Sequence, residues 1–251
     1  MTTFADKVIA FNKSLRFTGK LPPGISVMNP FKENKDSLMV SSEFYKKYYN
    51  VSNSRHIILG INPGRFGAGL TGVPFTDPKR LVEKCAIAYP GASAHEPSSV
   101  FIYNMIEAYG GPENFYGKFY INSICPLGFT KKNSLGKDVN YNFYDNKVLM
   151  DTAYNFIIRS IKQHIALGIH TDICFCLGSG KKQQTKNWLI PKQRRLQKII
   201  PIEKHSFFKK IVALEHPRFI MQYKSKQMQE YISKYLHAFS LATDSTYNAA
   251  L

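Results

Sequence analysis

Residues 56 to 75 read His56-Ile-Ile-Leu-Gly-Ile-Asn-Pro-Gly-Arg-Phe-Gly-Ala-Gly-Leu-Thr-Gly-Val-Pro-Phe75. The run over 56–61 is mainly apolar and does not alternate with polar residues, which is typical of a strand buried on both faces of a parallel sheet. Proline cannot continue a β-ladder and Asn62 accepts a sharp turn, so the strand should end at Asn62. In an open α/β sheet the ligand crevice lies at such carboxyl ends. This stretch therefore predicts a binding site around Asn62.

Three further apolar runs have the length of strands and alternate with segments of helical period. They predict an α/β protein, a three-layer α/β/α sandwich around a four-stranded, mostly parallel sheet. The length favours one domain over residues 1–251, with an N-terminal helix within 1–24 and a frayed tail over 242–251. The other strands are predicted at 119–126, 172–177 and 211–214, and helices at 4–15, 42–49, from Asp77-Pro78 onward, around 100–106, 145–167 and 222–239.

The chain is strongly basic, with 34 Lys and Arg residues against 17 Asp and Glu and a net charge of +17. Such an excess indicates a polyanionic partner, most often nucleic acid, although solubility alone is the simpler explanation. The segment 181–210 concentrates part of this charge. It is interpreted either as a DNA-facing surface or as a solvated pair of helices.

The four cysteines, at 85, 125, 174 and 176, include no C-x-x-C pair. Cys174 and Cys176 lie in an apolar run and are interpreted as core residues, so neither a metal nor a cofactor is expected. No apolar run approaches the ~20 residues that span a bilayer, and the first residues lack the pattern of a signal peptide. We therefore expect a cytoplasmic monomer, nucleoid-associated in a bacterium, that does not bind membranes.

Three polar residues, Asn62, Asn122 and His216, stand at or near strand ends and should gather at one carboxyl edge of the sheet. Asn62 could simply close a turn, and His216 could be a satisfied histidine at a strand end. Asn122 is harder to explain structurally, because a buried amide without a partner costs ~1–3 kcal/mol. Together the three residues favour a functional site.

The segment Gly67-Ala-Gly-Leu-Thr-Gly72 matches the pattern G-x-G-x-x-G and offers a second interpretation, a nucleotide-cofactor enzyme with a Rossmann-like site. Its distance from the strand and the Val73-Pro74 that follows it weaken this match. A third interpretation is a nucleic-acid-binding protein without catalytic activity.

The motifs resemble those of the uracil-DNA glycosylase superfamily, in its single-strand-selective monofunctional branch. Gly60-Ile-Asn-Pro-Gly-Arg-Phe-Gly67 followed by Thr71-Gly-Val-Pro-Phe75 is similar to the first motif of that family. Ile121-Asn-Ser-Ile-Cys-Pro-Leu127 resembles its base-reading strand, and His216-Pro-Arg218 resembles its histidine-bearing motif. The chain departs from the family pattern at Arg65, where proline is common.

The resemblance implies roles for individual residues. Asn62 would orient the attacking water, and His216 would donate a hydrogen bond to the departing base. Phe75 would stack on the base, and Asn122 would read its edge with an amide donor and acceptor. Base binding is thus implied for Ile61, Gly64, Phe75 and Asn122, and DNA binding for Arg65, Pro217, Arg218 and Phe219.

The implied activity is that of a monofunctional DNA glycosylase in base excision repair, acting on single- or double-stranded DNA. Such an enzyme flips uracil, or another altered base such as xanthine or 5-hydroxymethyluracil, into a pocket and hydrolyses the N-glycosidic bond. The product is an abasic site. The motifs contain no lysine, which favours water over an amine as the nucleophile.

Overall fold

The computed structural model describes residues 2–178 and 207–243. Its main sheet has four parallel strands in the order β3-β2-β6-β7, flanked by helices, which confirms the predicted fold class. All residues of three of these strands are buried, so both faces of the sheet are covered, as the unalternating apolar runs predict. The strands are β2 (His56–Gly60), β3 (Phe119–Ser123), β6 (Ile173–Leu177) and β7 (Lys210–Leu214).

A second, antiparallel sheet in the order β1-β4-β5 was not predicted from the sequence. Its strands are short, and β4 and β5 carry exposed polar residues, so they lack the apolar runs by which the main sheet is recognised. The hairpin of its last two strands brings Asn140 to the loop that follows β2. The strands are β1 (Ile25–Met28), β4 (Gly128–Lys132) and β5 (Asp138–Tyr141).

The helices begin mostly at residues whose side chains cap the first turn. Thr3 forms a reciprocal capping box with Asp6, and Asn146 and Asp77 accept backbone N–H groups of the helices they precede. The predicted Asp77-Pro78 start is therefore observed. The helices are α1 (Phe4–Ser14), α2 (Pro30–Glu33), α3 (Lys35–Tyr49), α4 (Ala68–Thr71), α5 (Pro78–Cys85), α6 (Pro97–Ala108), α7 (Pro112–Lys118), α8 (Lys147–Ala166), α9 (Pro217–Tyr223) and α10 (Met228–Thr243).

Two helix boundaries differ from the sequence-based expectation. The helix predicted at 42–49 begins earlier, at Lys35, because Asn34 caps it. The helix predicted at 222–239 is instead α9 and α10, separated by the short 3-10 turn Ser225–Gln227. Ala242, placed in the predicted frayed tail, lies within α10 and is buried. Thr243 also lies within α10, and residues 244–251 of that tail lie outside the described residues.

The core is continuous across the sheet and the helices that flank it, and all four cysteines are buried in it as free thiols. This confirms the interpretation of Cys174 and Cys176 as core residues. Most of the basic segment 181–210 lies outside the described residues. Within the described part of the chain, no helix is both long and apolar enough to cross a membrane.

Candidate active site

The strands of the main sheet end level with one another, and a cavity of about 370 Å³ opens at their carboxyl edge. The strand register pairs Gly60 with Ser123 and Leu177 with Leu214, so the residues that follow each strand meet there. The structure brings most of the predicted site residues to this cavity. Its lining includes Ile61, Asn62, Gly64, Phe75, His216, Arg218 and Phe219.

The side-chain amide of Asn62 is oriented by two backbone carbonyls. Its Nδ2 donates to the oxygen of Pro63 at 3.3 Å and to that of Tyr141 at 3.5 Å. Both acceptors are carbonyls, so the NH₂ group must face them and Oδ1 must face the other way. This Oδ1 is buried and has no hydrogen-bond partner in the described part of the protein. Asn62, a residue of the cavity lining, therefore has one acceptor that the described part of the protein leaves unused.

His216 follows β7 and caps α9 with its side chain. Its Nδ1 accepts the backbone N–H of Arg218 at 3.1 Å, so a neutral ring carries its proton on Nε2. The preceding residue, Glu215, forms an ion pair with Lys234 at 2.7 Å, and its carbonyl accepts a hydrogen bond from Tyr235. The end of β7 is thus attached to α10, and the imidazole has a defined position and tautomer.

Phe75 has an unusual backbone conformation for an aromatic residue, with a φ of 53°. Such a conformation is unfavourable for a residue with a Cβ and is found preferentially at functional sites. It directs the ring toward the end of β2, where Gly60 leaves room for it. The ring also lies 5.8 Å from that of His216 between centroids. The phenyl ring of Phe75 and the imidazole of His216 thus lie side by side in the cavity.

Asn122 does not line the main cavity, but it lines a small pocket beside it that shares Pro63, Ala68 and Pro74 with that cavity. Its Nδ2 donates to the hydroxyl of Tyr120 at 2.6 Å, and its Oδ1 accepts the N–H of Ser123 at 2.7 Å. Ser123 lines both the main cavity and this small pocket, whereas Asn122 lines only the small pocket. The sequence indicates no partner for the buried amide of Asn122, but in the structure this amide forms hydrogen bonds within the protein.

The predicted DNA-binding residues differ in exposure and in whether they line the cavity. Arg218 is exposed and Phe219 half-buried, and both line the cavity. Pro217 is instead buried at the first position of α9, because its ring suits a helix start, so the expectation of a DNA contact there is corrected. Arg65 is half-buried with its guanidinium 4.8 Å from the ring centre of Phe66, and it does not line the cavity.

Glu96 lines the cavity and was not identified from the sequence. Its backbone N–H donates to the fully buried carboxylate of Asp77 at 2.7 Å. Burial raises the pKa of the Glu96 carboxyl to about 7, with a further contribution from the charge of Asp77 and an opposing one from Arg218. A Cβ on Gly67 would lie 1.8 Å from Glu96 Oε2, so the glycine-rich loop and this carboxyl are packed directly together.

The local signal for Glu96 is weak, because a glutamate before a proline in a polar loop is ordinary. The same holds for Asn140, whose Oδ1 accepts the N–H of Arg65 at 2.9 Å and so holds the loop that carries Asn62. The residues meet only through the tertiary fold. A sequence pattern could not have selected either of them.

The glycine run at 67–72 does not form the turn of a dinucleotide-binding site. It contains α4, a single turn that ends at Gly72 with a φ of 69°. The carbonyl of Gly64 accepts the N–H of Gly69 at 2.9 Å, which closes the loop on itself. A Rossmann fingerprint requires a longer helix whose N-terminus faces the phosphates. The geometry therefore does not support the nucleotide-cofactor interpretation.

Comparisons with known proteins agree with this geometry. The family model described as the uracil DNA glycosylase superfamily matches residues 46–240, which include both the Asn62 loop and His216. The crystal structure of wild-type SMUG2 from Pedobacter heparinus is similar over 98% of this chain and 100% of that chain, with 56% sequence identity and a TM-score of 0.89. No curated protein sequence matches the chain significantly.

Proposed function

Since the chain belongs to the uracil DNA glycosylase superfamily and is a DNA glycosylase, we propose that it releases uracil from DNA by hydrolysing the N-glycosidic bond. The observation that carries this proposal is the buried, unpartnered Oδ1 of Asn62 at the cavity. Other altered bases such as xanthine or 5-hydroxymethyluracil are further substrates of the same chemistry. The product is an abasic site, which makes the reaction a first step of base excision repair.

The proposed nucleophile is a water molecule held by Asn62. Cleavage of the glycosidic bond leaves a cationic sugar, which is electrophilic enough to need an oriented water rather than a strong base. Because the carbonyls of Pro63 and Tyr141 orient the NH₂ group, Oδ1 is the atom left to accept a hydrogen bond from that water. Asn62 is therefore assigned the role of orienting the nucleophile.

The departing base leaves with negative charge, and His216 is assigned to stabilise it. The hydrogen bond from the N–H of Arg218 to Nδ1 keeps the lone pair of that nitrogen occupied. A neutral imidazole then directs an Nε2–H donor toward the base oxygen, as in an oxyanion hole. The ring need not become charged in order to act.

The flipped base is proposed to lie between the ring of Phe75 and the backbone at Ile61 and Gly64. We assign recognition of the base edge to Ser123, which lines the main cavity, instead of Asn122. A hydroxyl both donates and accepts a hydrogen bond, so it suits more than one pattern of base edge. The cavity volume of about 370 Å³ is within the range of small-molecule sites.

Binding of DNA is supported by the net charge of +17 and by Arg218 and Phe219 at the cavity. Extruding a nucleotide costs a few kcal/mol, which contacts between basic residues and phosphates offset. Phe219 is assigned to the space that the flipped base vacates. Arg65, beside Phe66, is assigned to the DNA backbone.

The reaction is proposed to be monofunctional. In the described part of the chain the cavity lining includes no lysine whose amine could attack the sugar. Borohydride should therefore fail to trap a covalent complex between the protein and uracil-containing DNA. A trapped adduct would overturn this assignment while leaving base release itself intact.

The decisive experiment incubates the protein with an oligonucleotide that contains one uracil, followed by hot alkali. Strand cleavage that depends on the protein reports base release, and parallel oligonucleotides with xanthine or 5-hydroxymethyluracil define the range of bases. Salt-sensitive binding without cleavage of any of the three would instead identify a non-catalytic nucleic-acid-binding protein.

A further inference from the structure

The amino-terminal edge of the main sheet, at the opposite end from the cavity, carries a cluster of two histidines and one aspartate. His56 is the first residue of β2, and Asp172 immediately precedes β6. With His170 they offer three ligand atoms that all lie within 4.8 Å of one another. More than 100 residues separate His56 from the other two, so no sequence spacing indicates the cluster.

The backbone holds these three residues in place. The N–H of His170 donates to the carbonyl of Arg55 at 2.9 Å, next to His56 in the chain. The carbonyl of Asp172 accepts the N–H of Lys210 at 2.8 Å, which fixes the start of β6 against β7. The loop that carries His170 and Asp172 is therefore hydrogen-bonded to the chain beside His56 and to the start of β7.

Two atoms of the cluster are buried and unpartnered within the described part of the protein, namely His56 Nδ1 and Asp172 Oδ1. They face each other at 3.6 Å, beyond the range of a hydrogen bond. His56 is only 8% exposed, so water does not satisfy this nitrogen readily. Buried polar atoms in folded proteins are almost always satisfied, and a cation held between these two electron-pair donors would satisfy both.

The surroundings of His56 suit a metal ligand. The backbone of Ala242 lies beside its ring. A metal-binding histidine commonly donates its second ring nitrogen to a backbone carbonyl, which leaves the lone pair on the other nitrogen for the metal.

We propose that His56, His170 and Asp172 bind one divalent transition-metal ion of the Zn²⁺ class, with water completing the coordination. Metal–ligand bonds of about 2.0–2.2 Å in a tetrahedral site place ligand atoms roughly 3.4 Å apart, close to the 3.6 Å between His56 and Asp172. His170 is exposed and stacks on His56 with 4.4 Å between ring centroids. A rotation of this surface ring brings its nitrogen to the ion.

The site is independent of base release, because it lies at the opposite edge of the sheet. Its effect is structural, since His56 begins β2 and Asp172 immediately precedes β6, so the ion connects two strands of the main sheet. Binding to the folded state alone raises the unfolding temperature.

The test titrates Zn²⁺ into the chelator-treated full chain by calorimetry and measures thermal unfolding with and without the metal. We expect one saturable site and a rise in unfolding temperature. His170→Ala and Asp172→Asn should weaken binding about tenfold or more and abolish the thermal shift. His170 is exposed, so its loss leaves the fold intact. His237→Ala, at an exposed histidine of α10, is the matched control and should bind Zn²⁺ as the unmodified chain does.

Base release by His170→Ala should equal that of the unmodified protein. The absence of a saturable site, or unchanged Zn²⁺ affinity in His170→Ala, would overturn the proposal. Substitution by Co²⁺ gives a second readout, because ligation by nitrogen and oxygen lacks the ultraviolet charge-transfer band of thiolate ligation. Such a band would assign the metal to cysteine and equally overturn the proposed site.

Discussion

The ring of Phe75 packs so closely on Gly60 that a Cβ at residue 60 would lie 2.8 Å from the ring atom Cε2. The last residue of β2 therefore sets the position of the ring that we assign to stack on the base. Because Phe75 already has a φ of 53°, its backbone has little freedom to compensate. The end of the strand and the shape of the cavity are thus coupled through one contact.

Gly60→Ala should displace this ring and slow uracil release by about 10–100-fold, since a shift of about 1 Å in an active site can cost that much. Single-turnover cleavage of a uracil-containing oligonucleotide measures the rate, and circular dichroism checks the fold. Gly117→Ala, in α7, is the matched control, because nothing lies within 4 Å of the added Cβ. Equal rates for Gly60→Ala and the unmodified chain would contradict the stacking role of Phe75.

Asn62→Ala should lower the single-turnover rate by about 10²–10³-fold, because it removes the oriented acceptor for the water. Binding to uracil-containing DNA should change little, since Asn62 is assigned no phosphate contact. Anisotropy measures binding separately from chemistry. Asn114→Ala, at an exposed asparagine that bonds only to the carbonyl of Gly110, is the control. A parallel loss of binding and rate in Asn62→Ala would mean that the residue maintains the shape of the pocket rather than orienting the nucleophilic water.

Replacing the two neighbours Asn122 and Ser123 should have different effects. Asn122→Ala leaves the hydroxyl of Tyr120 and the N–H of Ser123 without their partner, so the free energy of unfolding should fall by about 1–3 kcal/mol. Ser123→Ala should keep most of the stability but change the relative rates on uracil and xanthine. Denaturant unfolding and base release, measured on both variants, separate the roles. A larger rate effect for Asn122→Ala at unchanged stability would restore the role implied by the family resemblance.

Glu96 predicts a pH dependence of stability. Its pKa of about 7 in the folded protein exceeds the ordinary value of 4.5 for a glutamate, so the fold favours the neutral carboxyl. The associated stability is fully present below pH 4.5 and is lost as the pH rises through about 7. Glu96→Gln should therefore be more stable than the unmodified chain at pH 8, by on the order of 2 kcal/mol, and should lose this advantage near pH 4.

Denaturant titrations at several pH values measure this difference. Glu113→Gln, at an exposed glutamate of α7, is the matched control and should leave the pH dependence of stability unchanged. A Glu96→Gln variant whose stability follows that of the unmodified chain at every pH would show that the carboxyl is better solvated than its packing against Gly67 indicates.

The sequence predicts the main sheet and the meeting of Asn62 with His216, because unalternating apolar runs mark parallel strands and their ends share one edge. The sequence does not show which of Asn122 and Ser123 lines the main cavity, since a shift of one residue along a strand moves a side chain to the opposite face. Glu96 and the cluster around His56 arise only from tertiary packing. Pro217 shows a further limit of prediction from a motif. It belongs to a functional motif, yet its position is the first turn of α9, the helix that carries its neighbour Arg218.

Arg218 provides the last test, because it is exposed at the cavity while Pro217 beside it is buried. If its guanidinium contacts a phosphate, Arg218→Ala should weaken binding to all DNA sequences and reduce the slope of log affinity against log salt by about one. Lys118→Ala is the matched control, since Lys118 precedes β3 at the opposite edge of the sheet. An unchanged salt slope with a slower single-turnover rate would instead indicate that Arg218 contacts the base or acts through Glu96. The charge of Arg218 already opposes the raised pKa of Glu96.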